Sequence, residues 1–137
     1  MIRNDIPYLI DFQGMRFGDR FYDLGSLLCD PYVSFTDNER LDLLNYYYEL
    51  SAEDFDRDHF VRMFWEASAQ RLMQALGAYG FLGLVRGLKE YFSHVPAGLH
   101  NLQMAAENAG SLPRLLQVCA QCEERLLRDL DPWSYGS

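Results

Sequence analysis

A single carboxylate, Asp11, closes the short apolar run Tyr8-Leu9-Ile10 and is followed at once by Phe12-Gln13-Gly14. The run has the length and the aromatic and β-branched content of a buried strand, and loop chemistry takes over after the acid. A strand that ends on a carboxylate and opens into a glycine-containing loop suits a hard divalent cation, which binds through one or two carboxylates and keeps its waters. Asp also ends strands for a local reason, because its side chain bonds the backbone of a turn, and that structural reading stands beside the metal one. Further charged residues mark the ends and interiors of the runs that follow. Asp23 opens an amphipathic run, Asp30 precedes Pro31 and Tyr32, and Arg71 lies in an apolar stretch where it must pair with an acid or reach solvent.

Other reactive residue types carry less. Cys119 and Cys122 have Cys-x-x-Cys spacing, which fits a metal or redox pair, but they fall in a periodic helical run with no second Cys or His pair at zinc spacing. Two small apolar residues on a core-facing stripe is the preferred account. His59, His94 and His100 are isolated in sequence and are expected to have structural or solvent roles. Gly77, Gly80, Gly83 and Gly87 either allow close helix packing or end one helix and begin another. They do not make a phosphate-cradling loop, since their spacing and the missing Gly-Lys-Ser/Thr fit no P-loop.

The elements that must position these residues are mostly helices. Residues 1–3 and 7–12 read as two short strands joined by a turn at Asn4-Asp5. A first helix over 23–29 ends at Asp30-Pro31, because the residue before proline is pushed out of the α region. Thr36 and Glu39 make a capping box ahead of Leu41, Leu43 and Leu44. Three consecutive tyrosines, Tyr46, Tyr47 and Tyr48, cannot share one face, so at least one is expected to be exposed or in a contact. Acids over 53–56 suit the next helix start. The run from His59 to Tyr79 is apolar nearly all round, the mark of a central helix with neighbours on several sides. Pro96 begins another helix that Gly110 ends, and Ser111 is expected to cap a last one with Pro113 in its first turn. Leu112, Leu115, Leu116, Cys119, Cys122, Leu126 and Leu130 give that helix its stripe.

Composition narrows the function classes. At 137 residues and 49% hydrophobic, the chain can bury a sizeable core, and a single domain over 1–137 is expected. A net charge of −8 argues against binding a nucleic-acid backbone, which needs clustered Lys and Arg. No apolar run is long enough to span a bilayer, and the polar start Met1-Ile2-Arg3-Asn4-Asp5 does not resemble a signal peptide. A cytoplasmic location without membrane contact is the expectation.

The order of the motifs adds a specific likeness. Ile10-Asp11-Phe12-Gln13-Gly14, then Gly18, then Tyr22-Asp23-Leu24-Gly25-Ser26-Leu27-Leu28, then Asp30-Pro31-Tyr32-Val33, resembles the aminoglycoside phosphotransferase family, which belongs with choline-kinase-like and protein-kinase-like enzymes. Within it the chain looks like the bacterial cell-wall amino-sugar kinases acting on N-acetylmuramate or N-acetylglucosamine. Gln70-Arg71-Leu72 with Ala75-Leu76-Gly77, and Tyr91-Phe92 followed by His94-Val95-Pro96 and Leu99, agree with the helical half of those enzymes.

The resemblance implies a mainly α fold with a small N-terminal β-hairpin (α+β), the C-terminal lobe of a protein-kinase-like fold. It implies Mg²⁺ and ATP as cofactors of the parent enzyme, with Asp11 as metal ligand, Ile10 on the adenine side and Gln13 near the metal shell or the loop. Asp23 would brace the catalytic loop, and Asp30, Tyr32 and Arg71 would meet the substrate, an amino sugar or amino alcohol. The family's His-x-Asp loop with its following Asn is missing, as are the glycine-rich loop and the phosphate-binding Lys. No base remains to accept the hydroxyl proton, so the chain alone is expected to be inactive and to bind neither cofactor. It then reads as the rear piece of such a kinase. The alternatives are a separate helical module, either one half of a split kinase or an interaction domain, and a structural bundle that is kinase-like by accident. A missing lobe would leave apolar surface over 1–33 and favour self-association.

Overall fold

The computed structural model describes residues 2–8, 17–32, 35–51 and 56–129. Ile10, Asp11 and Gln13, most of the expected second strand, Leu130 and the C-terminal tail lie outside the described residues.

The chain opens with a hairpin of two-residue strands, β1 (Ile2–Arg3) and β2 (Ile6–Pro7), paired antiparallel with Ile2 opposite Pro7 and Arg3 opposite Ile6. Asn4 and Asp5 turn it with φ of 51° and 59°. Both residues tolerate the left-handed region, and two such residues in succession match the twist of a tight hairpin. Because the turn is only two residues long, β2 begins at Ile6 and not at residue 7 as the sequence pattern suggests.

Among the described residues five helices follow: α1 (Arg20–Leu28), α2 (Asp37–Ser51), α3 (Arg57–Leu84), α4 (Val95–Ala109) and α5 (Pro113–Asp129), with a 3₁₀ turn (Lys89–His94) between α3 and α4. Asp19 starts α1 earlier than its apolar pattern does, accepting a hydrogen bond from the Phe21 N–H at 2.9 Å. The Thr36–Glu39 capping box forms as expected: the Glu39 carboxylate accepts from the Thr36 N–H at 2.8 Å, and the Thr36 hydroxyl accepts from the Glu39 N–H at 3.3 Å. Asp56 caps α3 through the His59 N–H at 2.8 Å.

Helix α3 is the axis of the molecule. At 1.5 Å per residue its 28 residues span roughly 42 Å, running straight through Gly77, Gly80 and Gly83. Gly83 lets the Phe92 ring of the 3₁₀ turn lie directly on the helix backbone. Gly87, with φ 73°, is where the chain turns away. The core is aromatic at one end, where Phe60 meets the edges of Phe21 and Tyr48 at 4.9 Å each, and small and aliphatic at the other. There α4 lays Leu99, Leu102 and Ala105 into the shared core with Leu72 of α3. Of the three tyrosines, Tyr46 is exposed while Tyr47 and Tyr48 lean on Phe60.

Two expectations are corrected at the last helix. The Ser111 hydroxyl does not cap α5 but donates to Glu66 of α3 at 2.7 Å, and the Leu112 carbonyl accepts the first helical bonds, from Leu115 and Leu116. Cys119 is buried on the expected stripe, whereas Cys122 is exposed. A step of three residues falls about 60° short of a full turn, enough at the edge of a narrow stripe to leave the second thiol outside.

Candidate functional site

The C-terminal end of α1 is clamped from two sides. Its last carbonyls have no partner within the helix. The Arg40 guanidinium of α2 fills one place, with Nε donating to the Leu28 carbonyl at 3.0 Å, and Asn101 of α4 fills another, with Nδ2 donating to the Cys29 carbonyl at 3.1 Å. A buried cation at this end also complements the helix dipole. The clamp fixes where the chain leaves α1, and therefore where Asp30, Pro31 and Tyr32 lie.

Asp30 turns the chain, its Oδ1 accepting from the Tyr32 N–H at 2.8 Å. Its Oδ2 faces Nη2 of Arg71 on α3 at 4.0 Å, with the two side chains only 21% and 26% exposed. Arg71 is held in place by its other contacts: Nε donates to the Ser26 hydroxyl at 2.9 Å, and the guanidinium lies 5.9 Å from the centre of the Tyr22 ring. The Tyr22 hydroxyl in turn donates to Gln74. Two turns along the same stripe of α3, past Ala75, stands the buried Tyr79.

Tyr79 joins this polar pair to a cluster of rings. Its edge meets Tyr32 at 6.2 Å, its face stacks on Tyr91 at 6.3 Å, and the His94 ring lies 4.2 Å from Tyr32 and 5.6 Å from Tyr79. Burial, followed by a hydrogen bond with Tyr32, pushes the Tyr79 phenol up to about 12. It therefore stays a neutral donor throughout the physiological range.

The structure thus brings Arg71 of α3 onto one surface with Asp30 and Tyr32, which neighbour each other in sequence but lie far from it. Tyr79, Tyr91 and His94 of this surface were not expected from sequence. The signal available for them was the spacing of Arg71, Ala75 and Tyr79 along one helix face; His94, isolated in sequence, gains its company only through the fold. Asp23 stands exposed in the first turn of α1, and among the described residues no hydrogen bond or ion pair reaches it. The expected roles of Ile10, Asp11 and Gln13 fall outside the described residues. Among the described residues no cluster of His, Cys, Asp and Glu is arranged to hold a metal ion, and no helix is long and apolar enough to cross a membrane.

The chain is similar to the N-acetylmuramate/N-acetylglucosamine kinase of Neisseria meningitidis serogroup B, at 29% identity over 128 residues, covering 88% of this chain and 38% of that kinase. The chain therefore spans well under half the length of this curated relative. No protein-family model matches the chain, and no solved structure matches it. The likeness supports a loose relationship to an amino-sugar kinase, in a mainly helical chain.

Proposed function

We propose that this chain is the helical, substrate-side portion of an ATP-dependent phosphotransferase that acts on an amino sugar, the C-terminal lobe of a kinase-like fold. The similarity to the meningococcal kinase along most of the chain carries the reading. The convergence of Asp30, Tyr32 and Arg71 on one surface supports it, since these are the side chains expected to meet the substrate.

In phosphoryl transfer the protein chiefly positions the reactants and offsets charge on the moving phosphoryl group. Mg²⁺, when bound, supplies most of that charge compensation. Asp11 and Gln13 offer oxygen ligands, the donor chemistry a hard cation takes. Asp11 would hold the metal, Gln13 would support its shell or the loop, and Ile10 would lie on the adenine side. Asp23, exposed at the start of α1, braces the catalytic loop of the complete enzyme. The helices orient the sugar. The chain carries no His-x-Asp motif to accept the hydroxyl proton, so by itself it does not turn over.

A second reading, a non-catalytic module or one half of a split kinase, is favoured by one observation. Ile6, Tyr8 and Phe17 are all exposed near the N-terminal end, and such apolar surface suits a further lobe, another chain or a second copy. The metal role is tested with Mn²⁺·ATP as a paramagnetic probe of the ¹⁵N-labelled chain. Since the chain alone is expected to bind neither cofactor, closely similar spectra for the wild type and Asp11→Ala are the expected result; broadening around residue 11 that Asp11→Ala abolishes would show that the chain keeps a nucleotide site of its own.

A further inference from the structure

Helix α5 ends against the start of α4. The short link over 110–112 makes the two helices antiparallel neighbours, and Leu126 and Leu127 border a groove with Pro96 and Leu99. The groove encloses about 300 Å³. Leu99 forms its buried wall at 6% exposure, while Leu127 stands 70% exposed at its rim. One polar side chain lines it, that of Glu123, half-buried and one turn before Leu127. Arg128 pairs with the neighbouring Glu124 at 3.3 Å, and among the described residues no hydrogen bond or ion pair reaches Glu123. An apolar slot with a single acceptor suits a ring that is apolar except for one N–H donor, and an indole is such a ring.

The chain supplies an indole a few residues further on. Leu130-Asp131-Pro132-Trp133 follows directly from the end of α5. Proline cannot continue a helix, and the residue before it is pushed towards an extended backbone, so this sequence directs a turn. An extended residue advances about 3.3 Å and a helical one about 1.5 Å. One or two residues past the turn therefore bring Trp133 back level with 126–129. The other tryptophan, Trp65, is 4% exposed in the core, which leaves Trp133 as the indole within reach. We propose that Trp133 seats in this groove, its ring on Pro96, Leu99, Leu126 and Leu127 and its Nε1–H donating to Glu123. The occupant is the chain's own tail because that tail starts at the edge of the groove. Closing so short a loop costs little entropy, whereas a second copy must also give up its translational freedom. Seated there, the tail ties the end of α5 to the start of α4. His94 lies two residues before Pro96, so the same contact steadies the 3₁₀ turn that carries His94 into the ring cluster. This packing is independent of the reaction that the cluster serves.

The test is tryptophan fluorescence of the intact chain and of Trp133→Ala, the difference spectrum giving Trp133 alone. A blue-shifted emission that resists acrylamide quenching is expected. In the labelled chain, nuclear Overhauser contacts should run from the indole ring to the methyls of Leu126 and Leu127. Leu127→Asp, a change at an exposed position, should shift the emission of Trp133 to that of indole in water and restore its quenching. Glu123→Leu should move the indole N–H resonance upfield through loss of its acceptor, whereas Glu123→Gln, which keeps an acceptor oxygen, should hold it. Trp133→Ala should also shift the His94 amide resonance, and Tyr46→Ala on α2 should leave every one of these signals unchanged. Circular dichroism shows whether each variant is folded; should Leu127→Asp unfold, the wild-type emission and its methyl contacts decide. Water-like, freely quenched emission of Trp133 in the wild type overturns the proposal, as do indole contacts to another part of the chain. Protection that grows with protein concentration overturns it too, since the occupant is then the tail of a second copy.

Discussion

Replacing Arg40 with Met tests how the end of α1 is held. The side chain is 6% exposed; its Nε donates to the Leu28 carbonyl at 3.0 Å, and Nη1 reaches Asp37 at 2.8 Å and the Met104 sulfur at 3.5 Å. Met keeps most of the aliphatic stem and its packing but removes every donor. The bond to Leu28 is charge-assisted and sits at a residue only 1% exposed, so losing it costs roughly 1.5–3 kcal/mol and leaves a carbonyl without a partner. The Asp37 side chain is 84% exposed, so its ion pair adds little. Relief from burying the guanidinium offsets part of the loss. The net expectation is about 2 kcal/mol of destabilisation, or a fall in Tm of about 4–8 °C. Asp37→Asn should shift stability far less, and that small effect should vanish at high salt. Urea titrations of the two variants, followed by circular dichroism at low and high salt, give the comparison. Equal losses for both would mean that the surface ion pair, and not the clamp on α1, carries the energy.

Gly25 of α1 packs on α3 so closely that an added Cβ would lie 2.6 Å from Ser68 Oγ and 2.9 Å from its Cα. Gly25→Ala should therefore destabilise by about 1–3 kcal/mol in denaturant titration despite its better helix propensity, whereas Gly77→Ala, with open space around it, should be neutral or stabilising. Tyr79 holds its phenolic proton up to about 12 because it is buried. Since its folded pKa lies above the ordinary value of 10.0, the stabilisation is complete below that value and is lost as pH rises towards 12. Absorbance titration should show one tyrosine ionising late, and Tyr79→Phe should flatten the alkaline fall in stability. Cys29 and Cys119 are buried and burial raises both thiols, while Cys122 is exposed. A thiol reagent at mild pH should label one cysteine quickly and the other two only on unfolding; two fast thiols would contradict the packing of α5.

Much of the framework was legible from local chemistry. The Thr36–Glu39 box, the Asn4-Asp5 turn, Gly110 as the left-handed end of α4 and the all-round apolar stretch of α3 are set by residues within a turn or two of each other. Arg71 could be marked as needing an acid, and Asp30 supplies one across the fold. What sequence did not reveal depended on contacts between distant segments. His94 looked isolated because its neighbours are Tyr32 and Tyr79, each on a different element. Nothing in the sequence around Arg40 marks it for burial, and only the docking of α2 beside the end of α1 buries it. Gly77, Gly80 and Gly83 left open whether one helix or two ran through that region; packing against α4 and the 3₁₀ turn keeps it one, overriding their low helix propensity. Ser111 had the chemistry of a cap, but Glu66 lies within its reach.

The central claim, that this chain is the rear portion of an amino-sugar phosphotransferase, is tested most directly by determining the encoding DNA upstream of Met1. The account predicts an open reading frame that continues through codons for His-x-Asp-x-x-x-x-Asn, the base and second metal ligand that phosphoryl transfer needs. An in-frame stop close upstream, with no such pattern before it, would contradict it and make the chain a non-catalytic helical module.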